Sequence, residues 1–103
     1  MVVITSDQRG VIKDAVREMY TAVATRPDQE FHFPTGRRAC EYVGYPAREL
    51  DALPDAAIES FAGVGYPFAA DAIRPGDTVL DIGSGSGTDV LVAARRTGPD
   101  GRV

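Results

Sequence analysis

The sequence predicts an α/β fold in which a helical N-terminal cap precedes the first strand, glycine loop and helix of a parallel sheet. Three observations carry this. Thr78-Val79-Leu80-Asp81-Ile82 is a short β-branched, apolar run of the kind that forms a buried strand. Gly83, Ser84, Gly85, Ser86 and Gly87 follow at once, and the stretch from Thr88 to Thr97 has helical spacing, with Gly98-Pro99 to stop it. Arg102-Val103 then reads as the opening of a second strand, which the right-handed crossover rule places parallel to the first. The character of the chain changes at Arg74-Pro75-Gly76-Asp77, so residues 1–73 are assigned to the helical cap and residues 74–103 to the start of the sheet domain.

Taken in order, the first element is the clearest. Val11, Ile12, Ala15, Val16, Met19, Tyr20 and Val23 recur at three- and four-residue steps, with Lys13, Asp14, Arg17 and Glu18 opposite, which predicts an amphipathic helix with its apolar face buried. Ser6 or Asp7 is the expected N-cap and Pro27 follows the end. Pro27 and Pro34 bracket Phe31-His32-Phe33, so residues 27–36 read as loop. Short helices are expected over residues 47–53 after Pro46, over 56–61 with Asp55 as cap, and over 68–73 after Pro67. In the last helix Val90, Leu91 and Ala94 form the expected buried face.

Composition sets limits on function. A chain of 103 residues fits one small domain, and 44% hydrophobic with 25% charged residues is ordinary for a folded protein. Fifteen acidic against eleven basic residues, for a net charge of −4, argue against nucleic acid or an anionic membrane as the main partner, because both need clustered positive charge. One cysteine, Cys40, and one histidine, His32, make neither a disulfide nor a zinc site, so no metal is expected and a reducing compartment, the cytoplasm, is. No run approaches the ~18 apolar residues of a membrane span.

The chemistry lies in the glycine loop. Glycines at alternate positions let the backbone take positive φ and approach a ligand with no Cβ between. The helix that starts at Thr88 points free N–H groups into the same crevice. A dinucleotide fingerprint, G-x-G-x-x-G, would need glycine where this chain has Thr88; the pattern is instead Asp81-x-Gly83-x-Gly85-x-Gly87.

With these residues in view, Val79-Leu80-Asp81-Ile82-Gly83-Ser84-Gly85-Ser86-Gly87 resembles the first motif of the Rossmann-like (class I) S-adenosylmethionine-dependent methyltransferases. From Gly44 to Val103 the chain is similar to the N-terminal part of the arsenite methyltransferases and their relatives, with Val43-Gly44-Tyr45, Leu53-Pro54 and Gly63-Val64-Gly65-Tyr66-Pro67 at the family's landmarks. It departs from them at Val43 and Val64, where the family carries cysteines that hold trivalent arsenic.

The resemblance implies S-adenosylmethionine as cofactor, bound by Asp81, Gly83, Ser84, Gly85, Gly87 and Tyr20. The glycines would admit its methionine and ribose parts, and Asp81 would hold its ammonium. The alternative role for Asp81 is to cap loop amides, and Tyr20 could equally be core. The aromatic residues Phe31, Phe33, Tyr42, Tyr45, Tyr66 and Phe68 either line a substrate pocket or pack ordinarily. The expected activity is methyl transfer to an organic small molecule rather than to arsenite, with no catalytic residue assigned. Since the ribose-binding acid of this fold would lie past Val103, the sequence reads as the N-terminal portion of a longer enzyme or as a piece that pairs with a second chain. The alternative is a non-catalytic remnant or interaction module.

Overall fold

The computed structural model describes residues 3–103. Helix α1 runs Ser6–Thr25, α2 Gly36–Val43, α3 Ala47–Asp51 and α4 Asp55–Ile58; a single 3-10 turn covers Pro67–Ala70, and α5 runs Thr88–Thr97. Among the described residues there is no strand and no sheet, so the expected α/β architecture is not present: the fold is helical. Residues 78–82 form no regular element, with a bend at Ile82, and their one ladder contact is an isolated parallel bridge between Thr78 and Arg102. The Val79 N–H donates to the Arg102 carbonyl at 2.8 Å, and the Arg102 N–H donates to the Asp77 carbonyl at 3.0 Å. A strand is held by neighbours that satisfy its N–H and C=O groups, and with a single bridge Leu80 and Ile82 stay 83% and 86% exposed. β-propensity in these residues is therefore not enough to make a strand.

Helix α1 begins one residue earlier than the expected caps. Thr5 is the N-cap, and its hydroxyl and the Gln8 side chain form a reciprocal capping box across the first turn. The expected burial of its apolar face is also corrected, since Val23 is buried while Val11, Ile12, Val16 and Tyr20 are exposed. This uncovered helix lengthens the molecule: the radius of gyration is 16.0 Å, against roughly 13 Å for a compact chain of this length.

The core lies elsewhere, where α2, α3, α4 and α5 meet. Ala39 and Cys40 of α2, Leu50 of α3, Ile58 of α4, and Val92 and Ala93 of α5 pack around Tyr45, Leu53, Phe61 and Phe68. Helix α2 was not among the expected elements. It starts at Gly36, whose φ of 68° and whose contact with the Glu59 carbonyl, 3.1 Å from where a Cβ would sit, both require glycine, and it ends at left-handed Gly44. Arg37 donates to Glu41 within this helix at 3.0 Å and ties the helix to α3 by donating to Asp51 at 2.7 Å.

Asp55 is the first residue of α4 rather than its cap, which is Pro54. Helix α5 has the expected bounds, but its buried side is Thr88, Val92, Ala93 and Thr97 instead of Val90, Leu91 and Ala94. The side facing the α2–α4 core takes the covered positions, and Ala94 points to solvent. In the loop over residues 27–36, Phe31 and Phe33 stack on each other with centroids 5.5 Å apart.

Candidate functional site

The turn that leads into the site is built by its own residues. The Asp77 N–H donates to the Arg74 carbonyl at 3.1 Å, the Asp77 carboxylate accepts the Arg74 N–H at 2.7 Å, and Gly76 supplies a φ of 87°. Five residues past this turn the chain enters the glycine loop, where Gly83, Gly85 and Gly87 have φ of 75°, 53° and 90°. These left-handed conformations explain the alternating glycines, because an L side chain is strained at each. The Gly87 N–H closes the loop on the Ser84 carbonyl at 2.9 Å, and Gly87 itself caps α5.

The loop is anchored to the helical core through α5. Thr88, 1% exposed, donates its hydroxyl to the Ala57 carbonyl at 2.6 Å, and its Oγ1 lies 3.0 Å from the Ser86 hydroxyl. One residue on, Asp89 accepts a hydrogen bond from the Tyr45 hydroxyl. Burial raises the Asp89 carboxyl above its ordinary value; the Tyr45 bond opposes this, and the nearby Asp81 charge adds to it. The Tyr45 phenol is itself pushed up, by burial first and by Asp89 next.

Between the glycine loop and residues 60–63 lies a crevice of about 280 Å³. Gly83, Ser84, Gly85 and Tyr20 all line it, so four of the six anticipated cofactor residues come together there, from α1 and the loop. Tyr20 stands at its edge, 54% exposed, and is not core. Gly87 and Asp81 are not on its walls. Asp81 sits just before the loop with its Oδ2 buried and without a hydrogen-bond partner. Ser60, Phe61, Gly63, Ser86 and Asp89 also face the crevice, and the motif did not single them out. Of these Asp89 alone had a signal: an acid in the first turn of the helix that follows the loop, where the helix dipole favours it.

A second cavity of about 380 Å³ adjoins the crevice and shares Tyr20, Ala62 and Gly63 with it. Val43 and Val64, the positions of the expected family's cysteines, both line this cavity, as do Phe33 and Tyr42. Tyr45 and Phe68 of the same aromatic set are buried in the core, and Tyr66 packs against both. Cys40 is fully buried, and burial pushes its thiol up to about 11. His32 is exposed in the 27–36 loop. Among the described residues no three His, Cys, Asp or Glu side chains gather as a metal would need, and no helix is long and apolar enough to cross a membrane.

The fold and site thus describe a small helical unit presenting an open glycine loop beside two adjoining cavities. Comparison with known proteins gives the relation. The chain is similar to the arsenite methyltransferase of Halobacterium salinarum, at 46% identity over 63 residues, which is 61% of this chain and 16% of that protein. The likeness supports a methyltransferase relation, and the chain spans about a sixth of that relative's length. No family model matches the chain, and no solved structure matches it.

Proposed function

We propose that the chain binds S-adenosylmethionine at the glycine-loop crevice and serves a cytoplasmic methyltransferase whose acceptor is an organic small molecule. The observation that carries this reading is Asp81 Oδ2, buried and unpartnered two residues before a loop of three left-handed glycines. A buried carboxylate oxygen with no donor is unfavourable by about 1–3 kcal/mol or more, and a ligand ammonium relieves it. The loop fits the rest of the group: a Cβ placed on Gly83, Gly85 or Gly87 would meet no protein atom within 4 Å, so the loop backbone is open to a ligand.

When bound, the cofactor supplies a sulfonium methyl group for transfer to a nucleophile. The chain's own residues bind and orient. Asp81 would hold the ammonium, the Gly83 and Gly85 backbone would take the close approach, Ser84 would offer its hydroxyl, and Tyr20 would cover the open side. Gly87 shapes the entry to α5. Thr88 disfavours a nicotinamide dinucleotide, because its buried side chain fills the position where that fingerprint needs a glycine.

An organic acceptor is favoured over arsenite for reasons of donor chemistry. Val43 and Val64 have no lone pairs, and Cys40, with its thiol raised to about 11, is no thiolate at neutral pH. A lone buried cysteine also suits the reducing cytoplasm.

Calorimetric titration with S-adenosylmethionine and with NAD tests the cofactor. Saturable binding of the first and none of the second is expected; the reverse result would sink the proposal. Gly85→Val should weaken cofactor binding at least tenfold while the helical circular dichroism is retained. The branched side chain enters the crevice, and its strain at a φ of 53° costs about 1–2 kcal/mol. Unchanged affinity in this variant would reduce the loop to a tight turn.

A further inference from the structure

The cavity of about 380 Å³ beside the crevice has a character of its own. Helix α1 gives it Met19 and Tyr20, α2 gives Tyr42 and Val43, and the 62–64 turn gives Ala62 and Val64. No charged side chain is on its wall, and the hydroxyls there are the phenols of Tyr20 and Tyr42. Small-molecule sites are concave, mostly apolar and of about 300–1,000 Å³, with a few polar groups that orient the ligand. This cavity meets each criterion.

Two further facts limit the occupant. Val64 and Tyr42 are 99% and 83% exposed, so the cavity opens to solvent and a ligand can enter without rearrangement of the core. Because Tyr20, Ala62 and Gly63 belong to both cavities, whatever sits in the apolar one abuts the glycine-loop crevice. An anion or cation placed against this wall would lose hydration and gain no counter-charge.

From this we infer that the apolar cavity is the binding site for a neutral, ring-sized apolar molecule carrying a hydroxyl or similar polar group, and that this is the class of the methyl acceptor. The second half rests on the cofactor reading given above; the first half does not. The phenols of Tyr20 and Tyr42 orient the polar group of the ligand, and the aliphatic wall of Met19 and Val43, with Val64 at its rim, takes its ring.

The test is titration of the full chain with 2-naphthol and, in parallel, with 2-naphthoate, its charged analogue, read by NMR at the valine methyl groups. Saturable shifts at Val43 and Val64 with 2-naphthol, at least tenfold weaker with 2-naphthoate, are expected. Val64→Asp, at a fully exposed rim position, should weaken 2-naphthol at least fivefold, and Ala62→Phe should abolish the shifts by filling the cavity. Equal affinity for the two probes, no saturable shift, or shifts confined to Val11 and Val16 on exposed α1 would each overturn the inference. S-adenosylhomocysteine added to the same sample reads the crevice separately, through the Gly83 and Gly85 amides. If 2-naphthol binds but those amides stay still, the apolar site stands and the methyltransferase reading of the crevice falls.

Discussion

Helix α5 and helix α1 are both amphipathic, yet their apolar sides fare differently. Helix α5, ten residues long, buries Thr88, Val92, Ala93 and Thr97, whereas α1, twenty residues long, buries Val23. The difference is one of partners. Helix α5 meets α2, α3 and α4 across Cys40, Leu50 and Ile58, and is pinned at both ends by side chains: Thr88 and Asp89 at its start, Arg96 near its finish. Arg96 donates to Glu49 of α3 at 2.9 Å, receives the face of Phe68 at 5.1 Å, and donates to the Tyr66 hydroxyl at 3.0 Å. Helix α1 has a capping box and local threonine-to-carbonyl bonds, none of which reaches another element. Stability in such a molecule should follow the packed region and be nearly blind to the other.

The largest effect is expected at Leu50, 1% exposed at the centre of the packed region. Leu50→Ala should destabilise by about 2–5 kcal/mol, from lost transfer energy and the cavity left behind. Urea denaturation of parent and variant measures it, and a loss below about 1 kcal/mol would mean that the α2–α5 core is not what holds the fold.

A smaller loss is expected where the glycine loop is tied to that core. Thr88→Val keeps the shape of the side chain and removes the donor to the Ala57 carbonyl, with an expected cost of about 1–3 kcal/mol. Hydrogen exchange at the Gly85 and Gly87 amides should quicken in the same variant, since the loop hangs on this contact. Unaltered exchange would show that the loop holds itself.

The Asp89 carboxyl supplies a pH effect of smaller size. Its folded value is raised above 3.8, so the folded state holds its proton more tightly than the unfolded chain does. The stabilising contribution is therefore complete below 3.8 and is lost as pH rises through the raised value. Asp89→Asn retains an acceptor for the Tyr45 hydroxyl and has no proton to lose. Melting temperatures should fall with rising pH above 3.8 more steeply in the parent than in the variant; parallel curves would show that Asp89 does not titrate with a raised value.

How much of this was legible in the sequence depends on the residue. Strong local signals held: the spacing of α5 from Thr88 to Thr97, the prolines that begin α3 and the 3-10 turn, and the three glycines with positive φ. Gly83, Ser84, Gly85 and Tyr20, singled out for a shared ligand, line one crevice. Features that depend on distant residues were not legible. Val79, Leu80 and Ile82 have strand propensity, but a strand also requires neighbours, and Arg102 alone bridges to this segment. Helix α2 was hidden because Gly36 and Gly44 sit at its two ends and read as turn signals, while its ties run to Phe61 and Asp51. The buried side of α5 was misplaced because the α2–α4 core, which determines it, is assembled from short pieces with no long period.

The smallest effect belongs to α1 and sharpens the opening contrast most directly. Ile12 is 50% exposed and Val11 is 70% exposed, although both lie on the face that periodicity marks for burial. An Ile→Ala change in a packed core costs about 2–5 kcal/mol. On an exposed helix face it removes little buried area, and alanine's better helix propensity offsets part of that loss. Ile12→Ala should thus leave stability within about 0.5 kcal/mol of the parent, as surface substitutions do. Val23→Ala, at the one buried position of the same helix, is the internal control, because there the methyl groups do meet the rest of the molecule. Urea midpoints for the two variants separate the possibilities. A cost above about 1 kcal/mol at Ile12 that grows with protein concentration would show that a second copy covers α1 in solution, and the same cost without concentration dependence would place the helix face against this chain's own core.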